Sequence, residues 1–396
     1  MVTQQKIRVA IIVSHPIQYY IPLYQKLAQR SDISIKVFFT WHAGQAPVKD
    51  QGFGIEVSWD IPLTQGYEFE LVSNLSADPG THHFLGLRNP TLIQQVVSWR
   101  PDVVHITGWA WLSHLAALRA FAKFGIPTLF RGDSHLLDGG LRGTRWWLKK
   151  EILKRVFSWP SAFLVVGQAN RAYYKRFGVA EDRLFDCPHS IEVSRFAEPA
   201  VALERKAAEW REGLGINEDH CVLVFAGKFE PKKRPLELMR AVREIEDTSV
   251  VLVMVGSGEL EEEVYSFAAT DRARFLVLPF QNQSRMPLVY RIGDLCVLPS
   301  AYGETWGLAV NEAMACGRPV LVSDRVGCAY DLVDDSCGRI FSSGTPKSLR
   351  CAITKMIGNR DSLHEMRRGA AERAKDFDIV RTENALVKAI YQVFGT

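Results

Sequence analysis

Short runs of β-branched and other apolar residues alternate with longer amphipathic stretches along this 396-residue chain. The predicted strands of the first half are residues 7–13, 33–39, 102–107, 127–130 and 162–167. Those of the second half are residues 221–227, 249–256, 274–279, 294–299 and 319–323. Helical patterns lie between most of these runs. Almost continuously apolar strands that alternate with helices predict an α/β fold with parallel sheets covered on both faces.

An irregular stretch at residues 190–215 separates the two series of strands and predicts a domain boundary. We predict two Rossmann-like, doubly wound domains, one over residues 1–200 and one over residues 201–375. A final helical pattern in residues 376–396 is expected to fold back onto the first domain. Ligands of doubly wound sheets bind beyond the carboxyl ends of the strands, so the predicted site is a cleft between the domains.

Composition and charge exclude several classes of protein. The chain is 47% hydrophobic and 23% charged, which is typical of soluble globular proteins. No segment reaches the roughly 18 uninterrupted apolar residues of a spanning helix, and the N-terminal apolar run lacks a cleavage site, so we predict a cytoplasmic protein.

The seven cysteines form no C-x-x-C pair and are expected to be buried free thiols. Residues 1–200 carry 22 Lys and Arg against 16 Asp and Glu, an excess that suits an anionic partner.

Two carboxylates, Glu304 and Glu312, stand eight positions apart around the start of a predicted helix. Glu304 lies in a loop after a predicted strand, Gly307 precedes the helix, and Glu312 lies more than one turn inside it. These acids can contact hydroxyl groups at two ends of one ligand, while the N–H groups of the helix start suit a phosphate. On spacing alone, the favoured interpretation is an acid near the helix dipole and an exposed helical glutamate.

A basic cluster follows the first predicted strand of the second half. Lys228 comes directly after Gly227, and residues 232–234 add two lysines and an arginine before the next helix. Cations at the end of a strand predict a pyrophosphate site, although a solvated basic loop is the commoner interpretation of a lysine cluster. Gly256 and Gly258 form a tight turn before an acidic helix start, a pattern of low specificity that is usual in strand-to-helix connections.

Three stretches of the second half closely resemble one enzyme family. They are GKFEPKKRP, VGSGELEEEV and DLCVLPSAYGETWGLAVNEAMACGRPV. They resemble, in order and spacing, the C-terminal half of the retaining glycosyltransferases of family 4, which have the two-Rossmann GT-B fold. The E-x7-E motif of the family falls on Glu304 and Glu312. Its Arg/Lys-x4-Lys pair falls on Lys228 and Lys233, with lysine where arginine is more common. The first half resembles the family more loosely, through SHPIQYYIPLYQKLA, RPDVVHITGW and LVVGQANRAYY.

The resemblance implies a nucleoside diphosphate sugar as donor, a hydroxyl acceptor, and no cofactor or metal. It implies that Glu312 binds the ribose hydroxyls and that Glu304 binds sugar hydroxyls. Lys228 and Lys233 would stabilise the charge that grows on the leaving diphosphate. The other implied donor-binding residues are Gly227, Gly256, Phe280, Thr305, Trp306, Gly307 and Leu308. Retention in this family is usually described as same-face attack without a settled covalent nucleophile, and we assign none.

Histidines of the first half give less specific signals. His15 and Gln18 follow the first strand, in a loop that borders the acceptor and the donor phosphates in the family. The alternative there is a helix capped by Ser14 beside an incidental histidine. His105 lies inside a predicted strand and is expected to be a buried histidine with satisfied ring nitrogens.

Asp133 and His135 follow another predicted strand. Many relatives carry a histidine near this point that touches the donor sugar, and either residue is a candidate for that position. A structural ion pair between Arg131 and Asp133 is the alternative. The sequence alone leaves these interpretations open.

Residues 141–159 differ from the rest of the first half. They combine six basic residues, one acid and three tryptophans with large aliphatic residues at helical spacing. Such a segment can lie on an anionic membrane surface, as in family members with lipid-linked acceptors. The alternative is an ordinary amphipathic helix that covers the sheet while its Lys and Arg heads reach solvent.

These observations together predict a cytoplasmic, metal-independent, retaining glycosyltransferase, peripheral on the inner face of the membrane if residues 141–159 contact lipid. We expect it to move a hexose-type sugar to a hydroxyl acceptor in bacterial-type glycan or glycolipid biosynthesis. A nucleotide-sugar epimerase of the same fold and a non-catalytic sugar-nucleotide binder are the two alternatives. No nucleic acid partner is expected.

Overall fold

The computed structural model describes residues 6–41, 48–49, 56–137 and 144–395. The strands are β1 (Ile7–Val13), β2 (Ile33–Phe39), β3 (Val48–Lys49), β4 (Glu56–Val57), β5 (Phe69–Leu71), β6 (Val103–Thr107), β7 (Thr128–Arg131), β8 (Ala162–Val165), β9 (Leu184–Asp186), β10 (Cys221–Ala226), β11 (Val250–Val255), β12 (Phe275–Leu278), β13 (Leu295–Leu298), β14 (Val320–Ser323) and β15 (Gly338–Phe341). The helices are α1 (Ile21–Ala28), α2 (Leu92–Ser98), α3 (Leu112–Phe124), α4 (Thr144–Phe157), α5 (Gln168–Arg176), α6 (Val193–Ala197), α7 (Ala200–Gly213), α8 (Pro235–Arg243), α9 (Glu261–Ala268), α10 (Met286–Arg291), α11 (Leu308–Ala315), α12 (Ala329–Leu332), α13 (Pro346–Ile357), α14 (Arg360–Lys375) and α15 (Ile379–Phe394).

The chain divides into two compact units. The first unit contains the described residues of Met1–Pro47, Pro62–His189 and Ile379–Thr396. The second contains those of Val48–Ile61 and Ser190–Asp378. The second unit therefore includes a short segment from the first half of the sequence, and the last helix of the chain belongs to the first unit.

The described residues of the first unit form a seven-stranded parallel sheet in the order β5-β2-β1-β6-β7-β8-β9. Its apolar strand residues are buried because helices pack on the sheet. The core includes Ile12, Phe38, Ile106, Phe130 and Phe163. The strand order reverses between β1 and β6, which is where an open α/β sheet has a crevice at its carboxyl edge.

Helix α15 packs on α1 and on the strands at one side of this first sheet. The Thr382 hydroxyl donates to the Pro188 carbonyl oxygen at 2.8 Å. Arg30 and Glu383 form an ion pair at 3.3 Å. Polar contacts thus add to the apolar face of α15, which buries residues such as Leu386.

The second unit contains a six-stranded parallel sheet among its described residues, in the order β12-β11-β10-β13-β14-β15. Its core includes Leu223, Leu252, Phe275, Leu295 and Leu321. The strand order reverses between β10 and β13. The ten strands predicted from the sequence are all present, each within two residues of its predicted ends, and the predicted α/β fold with two parallel sheets is confirmed.

Cysteine burial agrees with the sequence except at one position. Six cysteines are buried and Cys351 is exposed. Burial raises the pKa of Cys221, Cys296 and Cys316 to about 12. These thiols are therefore protonated at neutral pH, which makes them poor nucleophiles and poor metal ligands.

Candidate functional site

The carboxyl ends of β10, β11 and β12 lie side by side at one edge of the second sheet. The Gly227 N–H donates to the Val255 carbonyl oxygen at 3.0 Å, next to the turn that contains Gly256. A Cβ atom at position 256 would lie 1.9 Å from the Gly227 carbonyl oxygen, and its φ is +151°. Only glycine fits there, so Gly256 has a packing role that its low-specificity pattern did not predict.

Lys233 and Glu304 are paired beside the point where the strand order reverses. The Lys233 ammonium contacts Glu304 Oε2, and the Ser300 hydroxyl donates to the same oxygen at 3.0 Å. These side chains are only 18% and 12% exposed. The Ala301 N–H donates to the Lys232 carbonyl oxygen at 2.8 Å, which joins the loops that carry the pair. The structure therefore brings together the acid and the cation that the motifs singled out.

Glu312 is buried inside α11, with an exposed fraction of 2%. The Tyr290 hydroxyl donates to Glu312 Oε2 at 2.6 Å. The interpretation of Glu312 as an exposed helical glutamate is therefore wrong. Because burying a carboxylate costs free energy unless it is hydrogen-bonded, Tyr290 is part of what keeps Glu312 in place. Sequence reasoning missed Tyr290, which lies on α10 and has no motif of its own.

The segment between the two acids is held by side-chain burial and backbone pairing. The Trp306 side chain is buried and its indole N–H donates to Asn311 Oδ1 at 2.9 Å. Gly307 precedes α11 with φ +99°, a conformation that favours glycine. Thr305 is exposed and Leu308 is half-buried. The backbone of Trp306 can therefore contact a ligand, whereas the indole ring of Trp306 is packed in the interior.

The loop that contains Gly327 and Cys328 is hydrogen-bonded to the backbone of this segment. The Gly327 N–H donates to the Glu304 carbonyl oxygen at 2.9 Å, and the Cys328 N–H donates to that of Trp306 at 2.9 Å. A Cβ atom at position 327 would lie 1.9 Å from the Thr305 carbonyl oxygen. Gly327 is thus a second residue that sequence reasoning missed, and only its close backbone approach explains it.

Phe280 lies just after β12 and faces residues 58–60, which we call the strap. The rings of Trp59 and Phe280 are 6.3 Å apart and edge-to-face. The Asn282 amide donates to the Ser58 carbonyl oxygen at 2.6 Å, and the Ser284 N–H donates to Asp60 at 3.2 Å. No pattern in the sequence predicted this contact.

Lys228, the other cation of the predicted pair, is half-buried in the loop after β10.

His15 and Gln18 are half-buried between β1 and α1 in the first unit. His15 Nδ1 and the Ser14 hydroxyl are 2.9 Å apart, and the His15 ring packs edge-to-face on Trp41 at 5.3 Å. Helix α1 begins seven residues after Ser14, with Tyr20 at its N-cap position. The alternative in which Ser14 caps the helix is therefore wrong.

Arg131 and Asp133 are joined through His189. Arg131 is buried, and its guanidinium donates to the Cys187 carbonyl oxygen at 2.8 Å and lies 3.3 Å from His189 Nδ1. His189 Nε2 lies 3.7 Å from Asp133 Oδ2. Burial pushes the pKa of Asp133 up, but His189 and Arg131 outweigh it, so the pKa is lowered. Sequence reasoning missed His189, which lies in an irregular stretch.

Two other histidines of the first unit have ring nitrogens without partners among the described residues. His135 Nδ1 accepts a hydrogen bond from the Leu137 N–H at 3.2 Å, which places the proton on Nε2. That Nε2 is buried and has no described partner. Both ring nitrogens of His105 also lack a described partner, and burial lowers its pKa to about 3. The expectation of a satisfied His105 is therefore wrong.

Helix α4 buries one apolar face and exposes another. Leu153 and Val156 are buried, whereas Trp147, Leu148 and Ile152 are 62%, 58% and 47% exposed. The helix therefore covers the sheet, as the ordinary interpretation predicts, and also presents large apolar side chains to solvent. None of the helices in the described ranges combines the length and the apolarity that crossing a bilayer requires.

Two family descriptions match the chain, one in each unit. "Glycosyl transferases group 1" matches residues 206–375, and "Glycosyl transferase 4-like domain" matches residues 68–185. Together they cover more than two thirds of the chain. The second half matches the family in the region that carries Lys233, Glu304 and Glu312.

Curated relatives of similar sequence are D-inositol 3-phosphate glycosyltransferases. The protein from Salinispora arenicola is 29% identical over 52% of this chain and 48% of its own length. The protein from Mycobacteroides abscessus is 28% identical over 84% of this chain and 77% of its own length. In three of these relatives, the matched region is only about half of the relative's own length.

Solved structures share the fold at low identity. Sucrose-phosphate synthase from Thermosynechococcus elongatus superposes with a TM-score of 0.74 at 16% identity, over 98% of this chain and 100% of that chain. Anabaena HepE in complex with UDP and glucose superposes with a TM-score of 0.71 at 16% identity, over 98% and 100%. Because each unit matches a family description and the fold is shared over nearly the whole length, the chain belongs to glycosyltransferase family 4 and has the GT-B fold.

Proposed function

We propose that this glycosyltransferase moves a hexose-type sugar from a nucleoside diphosphate sugar to a hydroxyl acceptor, with retention and without a metal ion. The Lys233–Glu304 pair carries the proposal, because it holds a cation and an acid together, mostly buried, where a doubly wound sheet has its crevice. In the donor complex Lys233 turns to the diphosphate and Glu304 to the sugar hydroxyls. The pathway that we propose is bacterial-type glycan or glycolipid biosynthesis.

The order of strands supports an extended nucleotide along the edge of the second sheet. Lys228 follows β10, and Phe280 follows β12, which is two strands away. Two strand spacings amount to about 10 Å, a separation that a nucleoside can span. Glu312, held by Tyr290, is the acid that we assign to the ribose hydroxyls. The strap would then lie beside the base, with Trp59 next to Phe280.

Charge stabilisation is the chemistry that these residues supply. When the bond between the anomeric carbon and the diphosphate oxygen breaks, the electron pair leaves with the diphosphate. Lys228 and Lys233 stabilise that charge without a metal ion. Hydrogen bonds to a charged group contribute about 1.5–3 kcal/mol each, so Glu304 and Glu312 can supply much of the donor's binding free energy. No protein nucleophile is part of the proposal.

Residues of the first unit are assigned to the sugar and the acceptor. His135 presents a buried Nε2–H without a described partner, so we propose it as a hydrogen-bond donor to a substrate hydroxyl. Asp133 is held by His189 and is proposed to act beside it as an ionised acceptor. His15 and Gln18 are proposed contacts of the loop after β1. A protein of the same fold supports this class of substrate, since the HepE structure contains UDP and glucose.

A donor screen followed by a transfer assay tests the proposal. Nucleoside diphosphates and their sugars are first ranked by thermal stabilisation, because a ligand at 100 times its dissociation constant adds about 2.7 kcal/mol of stability. The best donor is then incubated with and without hydroxyl acceptors. We expect a new glycoside only when an acceptor is present. Epimerised donor without acceptor would support the epimerase instead, and binding without any turnover would support the non-catalytic binder.

We further propose that α4 contacts an anionic membrane surface. Trp147, Leu148 and Ile152 are exposed on this helix beside the exposed cations Lys154 and Arg155. Tryptophan at an interface with basic residues around it is the composition of helices that lie on membranes. The proposed location on the inner face of the membrane depends on this contact.

Trp147→Ser is expected to weaken vesicle binding roughly 10- to 150-fold, because it removes about 1.5–3 kcal/mol of apolar burial. The measurement is co-sedimentation with phosphatidylcholine vesicles that contain or lack phosphatidylglycerol. Val201→Ser is the matched control, since Val201 is exposed on a helix of the second unit. Equal binding to both kinds of vesicle, or an unchanged Trp147→Ser variant, would rule out the contact.

A further inference from the structure

The loop between β5 and α2 is compact although much of it is exposed. We call residues 74–86 the His loop. The Asn74 amide donates to the Gly86 carbonyl oxygen at 2.8 Å, and the Gly80 N–H donates to the same oxygen at 3.1 Å. The Trp111 indole N–H donates to the Thr81 carbonyl oxygen at 3.1 Å, which ties the loop to the start of α3. The side chains of the His loop therefore stand on a well-connected backbone.

Three side chains of the His loop direct metal-ligating atoms to one point. His82 Nε2 lies 2.9 Å from Asp78 Oδ2, and His83 Nε2 lies 3.3 Å from the same oxygen. The ligating atoms of all three residues lie within 4.8 Å of one another. Metal–ligand bonds of about 2.0–2.1 Å in tetrahedral geometry separate ligand atoms by about 3.3 Å. Two of the separations are thus already close to those of a metal complex.

Two glycines allow this arrangement. A Cβ atom at position 80 would lie 2.6 Å from His82 Nδ1, so the imidazole ring can fold over the turn only because position 80 lacks a side chain. A Cβ atom at position 86 would lie 2.1 Å from the Gly80 carbonyl oxygen. The loop closes on itself through these contacts, and closure keeps His82 and His83 on one side of it.

The donor set selects a class of ion. Two imidazoles and one carboxylate suit Zn²⁺ and its neighbours, whereas Mg²⁺ and Ca²⁺ prefer oxygen ligands only. All three side chains reach solvent, which gives an ion a path to the site.

We propose that Asp78, His82 and His83 form a binding site for a divalent transition metal ion of the Zn²⁺ class. Three protein ligands leave at least one coordination position open to water or to an anionic group of a ligand. The site lies within the first unit and shares no residue with the donor site proposed above. It is therefore independent of the proposed metal-free transfer and would persist if that proposal failed.

Calorimetric titration of ZnCl₂ into the full chain tests the site. The protein is purified without a histidine tag, treated with EDTA and dialysed. We expect saturable binding of one ion per chain. His82→Ala and Asp78→Ala should each weaken it at least about tenfold, because even residues that only support metal ligands contribute that much. His364→Ala, at an exposed histidine of α14, is the matched control and should bind like the native chain.

Cobalt gives a second readout. Co²⁺ bound by imidazole nitrogens in a four- or five-coordinate site absorbs visible light strongly, and this absorption should be absent in His82→Ala and in His83→Ala. MgCl₂ in large excess should not displace Co²⁺. Absence of one-to-one binding in the native chain would overturn the proposal. Binding by His82→Ala that equals that of the native chain would overturn it as well. Circular dichroism of each variant is the check that the variant is folded.

Discussion

Lys233→Ala is expected to lower kcat about a hundredfold to a thousandfold, the usual cost of removing one group that stabilises charge in a transition state. Lys233 is mostly buried and its ammonium lies against Glu304 at the reversal of the second sheet. In the proposed reaction, the variant has one cation fewer near the leaving group when the sugar–diphosphate bond breaks. Donor binding should fall less than turnover, because the charge on the diphosphate is greatest after the bond has broken.

Steady-state transfer assays with a saturating donor measure this effect. Lys232→Ala is the matched control: it is the neighbouring residue, is more exposed, and pairs with Glu230 at 2.8 Å. The control should keep a turnover close to that of the native chain. An equal loss in both variants, or a native rate for Lys233→Ala, would show that Lys233 does not stabilise the leaving group.

Glu312→Gln is expected to weaken donor binding roughly 10- to 150-fold, which corresponds to the loss of about 1.5–3 kcal/mol from hydrogen bonds to a charged acceptor. Glutamine keeps the volume of the side chain and can still accept a hydrogen bond from the Tyr290 hydroxyl. The loss should therefore reflect the ribose contact, without a cavity or a change in packing.

Isothermal titration with the nucleoside diphosphate that gives the largest thermal shift measures this second effect. Glu365→Gln, at an exposed glutamate of α14, is the matched control and should bind like the native chain. Tyr290→Phe should produce a smaller loss, since it frees Glu312 without removing its charge. Native affinity in Glu312→Gln would remove Glu312 from the donor site.

The strands that were predictable are those with enough apolar residues to show a pattern. Five of the described strands were missed: β3 and β4 have two residues each, and β5, β9 and β15 have three or four residues and lie at the edges of their sheets. Polar residues such as Glu70, Asp186 and Arg339 interrupt them. Such short segments gain their conformation from the neighbouring strand, and one sequence window does not contain that information.

The candidate site was predictable where a strand's end dictates position, and not where a contact depends on another element. Lys233 and Glu304 follow neighbouring strands, so parallel topology alone brings them close. The burial of Glu312 depends on Tyr290 from a different helix, and spacing within one helix cannot reveal it. His189 is joined to Asp133 from a stretch without periodicity. The contact between His189 and Asp133 can be recognised only in the folded structure.

The division of the chain also departs from a simple split near residue 200. The strap comes from the first half of the sequence, yet Ser58 and Asp60 are hydrogen-bonded to residues 282–284. The contact uses one backbone carbonyl and one aspartate, which are common in any loop. No composition or motif distinguishes them before the loop meets its partner.

The strap constrains how this chain can be recombined with its relatives. A hybrid joined at a single crossover near residue 190 would inherit the loop after β12 from one parent and Trp59 from the other. To transplant the second unit intact, an engineer would graft residues 48–61 together with 190–378 and leave α15 with the recipient. Such a graft has four junctions, so shuffling libraries with one breakpoint cannot produce it.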